Sequence, residues 1–154
     1  MLKPLPKVKH IALSGNTYQD ASLGPVGHLI GLLLSEGIAV DIHENFALYL
    51  SSHGVKIENC TVCTELDAST DVVASIGGDG TFLRTAEWVG AREIPILGIN
   101  TGHLGFLASY SLDNISRIIR ALNLGEALSE PRMVIKVEGI PDSDMIPFAL
   151  NEVA

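Results

Sequence analysis

Gly77-Gly78-Asp79-Gly80-Thr81 is the stretch whose residue types and spacing carry the most chemistry. Residues 71–76 (DVVASI) precede it and read as a buried strand, and residues 82–89 (FLRTAEWV) follow it and read as a helix. Three glycines at a strand-to-helix turn let a ligand come close to the backbone. The N–H groups of the turn and of the helix N-terminus form a nest for an anion such as phosphate. A carboxylate in that nest would repel a phosphate it merely had to hold. Asp79 therefore reads as a base, a metal ligand or a hydroxyl acceptor, and the chemistry this suggests is phosphoryl transfer. The bland alternative is a tight turn with Asp79 as the helix N-cap.

The elements that must position this turn alternate along the chain. Residues 8–13 (VKHIAL) read as a strand ending at Ser14-Gly15-Asn16-Thr17. Residues 25–36 place Val26, Leu29, Ile30, Leu33 and Leu34 at helical spacing, with Gly37 as the stop. A strand over 38–42, a helix over 45–52 ended by Gly54, and an edge strand with a loop within 55–69 follow. After the glycine turn, residues 94–99 (IPILGI) form another buried strand, leading into a second glycine-containing loop, 100–107 (NTGHLGFL). Residues 112–124 set Ile115, Ile118, Ile119 and Leu122 on one helical face. Continuous apolar strands alternating with helices predict a doubly wound α/β domain with a mostly parallel sheet. Ligands of such domains bind at the carboxyl ends of the strands, where both glycine loops lie. Residues 132–138 (RMVIKVE) and 146–153 (IPFALNEV), around a turn at 141–144, read instead as β-rich. The expected division is an α/β nucleotide-binding domain over 1–130 and, over 131–154, the first strands of a truncated all-β domain.

At 154 residues and 47% apolar composition, the chain is long and apolar enough for one well-cored domain. Its net charge of −8 argues against nucleic acid or anionic lipid as a partner, while leaving local phosphate binding by backbone amides open. No apolar run approaches the ~18–20 residues of a membrane span, and no signal-peptide pattern opens the chain, so a cytoplasmic location is expected. Cys60 and Cys63 form one C-x-x-C pair with no second pair and no histidine at ligand spacing, and read as inert.

GGDGT after a strand, NTGHLGFLA after the next strand, and ALNE near residue 152 together resemble NAD kinases, in that order. GGDGT alone is shared with diacylglycerol-type lipid kinases, and phosphofructokinases carry a related turn; the combination is specific. The resemblance implies transfer of the γ-phosphoryl of ATP, or of polyphosphate in some members, to the adenosine ribose 2′-OH of NAD, giving NADP. It implies Asp79 at that hydroxyl as general base, with Gly77, Gly78, Gly80 and Thr81 contacting phosphates. Asn151 and Glu152 match the pair that holds ribose hydroxyls and adenine-side groups of NAD. Phe106 matches an aromatic beside a nucleotide base, although ordinary core packing is an equal reading, and Leu107 would extend that apolar wall. Asn100 stands at a strand end near the ligand or stabilises its turn. Arg84 is a secondary candidate that reaches back to phosphate or pairs with Glu87. His103 reads as a solvated loop residue, Trp88 as core, and Thr17 and Gln19 lie at the correct sheet edge without a specific signal.

Mg²⁺ is expected to arrive with the phosphoryl donor, since no dedicated protein ligand set is legible. The family's all-β domain, which supplies further NAD contacts and much of a homo-oligomer interface, would begin where this chain ends, so the fragment alone is expected to be inactive. No Lys follows the glycine turn, which excludes a Walker-type mechanism. Two alternatives remain at this point: a diacylglycerol-type lipid kinase, which the negative charge does not favour, and a non-catalytic NAD(P) sensor, which the presence of Asp79 weighs against.

Overall fold

The computed structural model describes residues 1–102, 105, 107–136 and 148–149. The chain opens with the short strand β1 (Lys3–Pro4) and continues through β2 (His10–Gly15), α1 (Leu23–Ser35), β3 (Ala39–His43), α2 (Glu44–Ser52) and β4 (Thr61–Cys63). It then passes through β5 (Val72–Gly77), α3 (Asp79–Val89), β6 (Ile96–Asn100), β7 (Tyr110–Ser111) and α4 (Ile115–Leu124). The short strands β8 (Leu128–Ser129), β9 (Ile135–Lys136) and β10 (Phe148–Ala149) follow. Six strands form one parallel sheet in the order β4-β3-β2-β5-β6-β7. The expected α/β architecture is therefore the observed one. β1 pairs antiparallel with β8, and β9 pairs antiparallel with β10, outside that sheet.

Side-chain alternation divides the sheet into two faces. Ile11, Leu13, Val40, Ile42, Val72, Ala74 and Ile76 pack with Val26, Leu29, Ile30 and Leu33 of α1, with Phe46 and Leu50 of α2, and with Ile115, Ile119 and Leu122 of α4. Each such fully buried aliphatic side chain is worth about 1.5–3 kcal/mol. The opposite face carries a smaller cluster of Ala12, Leu66, Val73 and Val89, joined by Trp88 from α3. Trp88 is half-buried rather than core. Its indole N–H donates to the Thr64 carbonyl at 2.9 Å, and its ring stands edge-on to His43 at 4.8 Å.

Two boundaries differ from the sequence reading for identifiable reasons. α1 starts at Leu23, before Pro25, because a first-turn N–H has no helical partner and Pro loses nothing there. α3 starts at Asp79 rather than Phe82, because the tight turn needs only Gly78 as cap and Phe82 N already donates to Gly78 O at 3.0 Å. The two-residue strands β1, β7 and β8 show no period in the sequence. The predicted strand over 132–138 is restricted to Ile135–Lys136 among the described residues.

The amino edge of the sheet is pinned by backbone capture. Asp71 Oδ2 accepts from Lys9 N at 2.8 Å and from His10 N at 2.9 Å. His10 Nδ1 lies 2.8 Å from Ser69 Oγ, and its Nε2 lies 2.9 Å from Asp41 Oδ2.

Candidate functional site

The strand order sets where a ligand can sit. β2 leads outward on one side to β3, and the chain later returns to lay β5 on the other side of β2. The topological switch point therefore lies between the carboxyl ends of β2 and β5, the usual crevice of open α/β sheets. Gly77 is the last residue of β5 and Asp79 the first of α3, so the glycine turn opens at that crevice.

The turn is close-packed. A Cβ on Gly77 would stand 2.8 Å from Thr81 Cβ and 3.1 Å from Asn16 Nδ2, so only glycine fits there. Thr81 is buried and accepts twice within its own helix: its carbonyl from Thr85 Oγ1 at 2.9 Å, and its hydroxyl from Arg84 Nη2 at 3.3 Å. Arg84 thus bonds back to Thr81 in the first turn of α3. No ion pair with Glu87 forms among the described residues.

Asp79 is N1 of α3, not its N-cap. Its Oδ1 accepts from Leu107 N at 3.0 Å and from Ala108 N at 3.2 Å. The loop after β6 therefore folds over the carboxylate, and it does so at close quarters. A Cβ on Gly105 would stand 2.6 Å from Asp79 Cγ and 2.8 Å from Oδ2, so the backbone can approach only because residue 105 has no side chain. Asn100 is buried at the end of β6, in register with Gly77, and its Oδ1 accepts from Gly102 N at 2.7 Å. It shapes the start of the same loop. Gly77, Gly78, Asp79, Gly80, Thr81, Arg84, Asn100 and Leu107 are brought to one region. His103, Leu104, Phe106, Asn151 and Glu152 lie outside the described residues.

Asn16, Gln19 (which the sequence placed only at this sheet edge) and Thr101 of the NTGHLGFLA stretch join this region. Asn16 is 4% exposed, and its Nδ2 donates to Gln19 Oε1 at 3.0 Å. Thr101 Oγ1 donates to the same Gln19 oxygen, and Thr101 N donates to Gly77 O at 3.2 Å. Only the strand order, which puts the loops after β2, β5 and β6 side by side, could have paired them. Two open hollows, of about 380 and 430 Å³, lie elsewhere. One sits between α1 and α4 beside Leu32 and Ile119, the other beside Gly27 and Val55.

No group of three or more His, Cys, Asp or Glu gathers as a cation site among the described residues. Cys60 and Cys63 are both free thiols. Burial pushes the Cys60 thiol up, and Asp41 and Glu58 add to it. Burial, then Asp41 and Asp67, push Cys63 to about 11. Both are thus held as thiols at neutral pH, the unreactive form.

A family model described as the ATP-NAD kinase N-terminal domain matches residues 33–127. The chain belongs to the NAD kinase family. An NAD kinase of Bacteroides fragilis is 38% identical over 149 residues, covering 93% of this chain and 50% of the relative. An NAD kinase of Porphyromonas gingivalis is 35% identical, covering 96% and 51%. An NAD kinase of Methanothermobacter thermautotrophicus is 37% identical over 127 residues, covering 75% and 44%. The chain thus spans about half the length of these NAD kinases. The crystal structure of yeast NADH kinase complexed with NADH superposes with a TM-score of 0.70 at 18% identity, over 97% of this chain and 48% of that one. At that identity the match speaks for the fold. The region of the NAD kinase family model includes Asp79, Asn100 and Leu107 but begins after Asn16 and Gln19.

Proposed function

We propose that the protein transfers the γ-phosphoryl group of ATP, or a terminal phosphoryl of polyphosphate, to the 2′-OH of the adenosine ribose of NAD. The observation that carries this reading is the Asp79 carboxylate at the head of α3, in the switch-point crevice and under the loop after β6. The ribose oxygen attacks the transferred phosphorus, the bond to the leaving phosphate breaks, and the 2′-OH proton passes to Asp79. A carboxylate has about four lone-pair sites, so it can hold backbone amides and accept from a hydroxyl as well. The first-turn N–H groups of α3 have no helical partners and face the donor phosphates, with Arg84 adding positive charge nearby. Alignment and charge neutralisation supply most of the rate.

Mg²⁺ is read as an ion carried on the substrate phosphates, with no dedicated ligand set from the described residues. The ion would neutralise charge on the transferring phosphates. Phe106 and Leu107 are read as an apolar wall beside a base, and Asn151 and Glu152 as the groups that hold ribose hydroxyls. Residues 1–130 form the nucleotide-binding unit in this reading, and 131–154 open a β-rich unit that completes the NAD site and the homo-oligomer.

The test is NADP formation from ATP, Mg²⁺ and NAD by the full-length gene product and by residues 1–154 alone. Activity in the full-length protein only is the expected result. Turnover of a diacylglycerol in place of NAD, or NAD binding without turnover, would overturn the reading.

A further inference from the structure

We propose that Gln19 is a positioning residue for this phosphoryl transfer, acting with Asn16 and Thr101 as a latch that sets the glycine turn against the loop after β6; it rests on the kinase reading above. The carboxamide oxygen of Gln19 is the hub, accepting from Asn16 Nδ2 at 3.0 Å and from Thr101 Oγ1. Asn16 Nδ2 also lies 3.5 Å from Thr101 Oγ1, which closes the triangle. Each partner is tied by its backbone to the end of β5: Asn16 N donates to Ile76 O at 3.0 Å and Thr101 N to Gly77 O at 3.2 Å. Three loops, from β2, β5 and β6, are therefore fixed to one another at Ile76 and Gly77, just before Asp79 in the chain.

The placement is directional. Asn16 Nδ2 is purely a donor, so Gln19 must turn its oxygen inward. Its Nε2 then faces the start of the loop after β6, where a Cβ on Gly102 would stand 3.9 Å away. That loop goes on to deliver the Leu107 and Ala108 amides to Asp79. Releasing the latch lets the loop and the carboxylate shift together. Displacements of about an ångström at a reacting group cost large factors in rate. The 2′-OH acceptor is gripped by other residues in this reading, so the loss falls on kcat rather than on the KM for NAD.

The experiment is a double-mutant cycle on the full-length protein, with Gln19→Met, Thr101→Val and the pair, and with Thr101→Ser as the conservative control. Each single change is expected to lower kcat about tenfold, within the coupling range of neighbouring residues. The pair should lose about the same tenfold, with the KM for NAD within about twofold and Thr101→Ser close to wild type. About hundredfold loss in the pair, unchanged kcat in the singles, or Thr101→Ser as slow as Thr101→Val would overturn the latch. So would a lowered melting temperature with kcat intact, which assigns the triad to stability alone. Wild type run alongside separates the two claims: no NADP from it defeats the kinase reading, whereas an active wild type with additive variants defeats only the latch.

Discussion

One oxygen of Asp79 holds the Leu107 and Ala108 amides, so the proposed base also pins the loop above it. Asp79→Asn keeps an accepting oxygen for those amides and removes the basicity. In the full-length protein it should lower kcat by ~10²–10⁴, with the melting temperature unchanged; turnover near wild type would take the proton-accepting role away from Asp79. Gly105→Ala attacks the same spot from the other side. A methyl 2.6 Å from Asp79 Cγ must push the loop or the carboxylate aside. A kcat at least about tenfold lower is expected, and steady-state kinetics with saturating NAD would check it. Asp79 was legible because its motif is contiguous. Gln19 was not, since Thr101 lies 82 positions away and nothing local marks either residue as half of a pair.

At the level of elements, β6 and the loop that follows it are packed backbone against backbone. A Cβ on Gly98 would stand 2.7 Å from Ala108 Cα and 2.8 Å from the Leu107 carbonyl, and neither can rotate away. Gly98→Ala should destabilise by about 1–3 kcal/mol, seen as a lower urea midpoint. α2 is fixed to the loop after β2 through Tyr49, whose hydroxyl donates to Asp20 Oδ1 at 2.6 Å. Burial, then that hydrogen bond and the Asp20 charge, push the phenol up to about 12. An unfolded tyrosine ionises near its usual ~10, so this stabilisation is complete below about pH 10 and is lost as pH rises through about 12. Urea midpoints at pH 9 and 11 should fall in the wild type and fall less in Tyr49→Phe. The helices were legible from their apolar spacing. The first turn of α3 was not, because Asp79-Gly80-Thr81 has the composition of a turn and becomes helical only through Gly78 O and the packing of Thr81.

For the molecule as a whole, alternation of strand and helix identified a parallel sheet, yet strand order is invisible in a periodicity. Whether β5 would lie beside β2 or beyond β4 depends on which crossover packs, and the crevice follows from that choice. In the full-length protein, NAD at about 100 times its Kd should add about 2.7 kcal/mol of stability. Asp79→Asn, which keeps its acceptor oxygen, should show the same melting shift, and a missing shift would mean that the carboxylate grips NAD itself. The sheet's two rims differ in kind. At the amino rim Asp71 captures the Lys9 and His10 amides, far along the strands from Asp79, while the carboxyl rim carries the glycine turn and the loop after β6. Substitutions at Asp71 and Ser69 should therefore change thermal tolerance without changing which nucleotide is accepted. At the carboxyl rim, where Gly77 and the Tyr49–Asp20 bond are also structural, the two traits should move together.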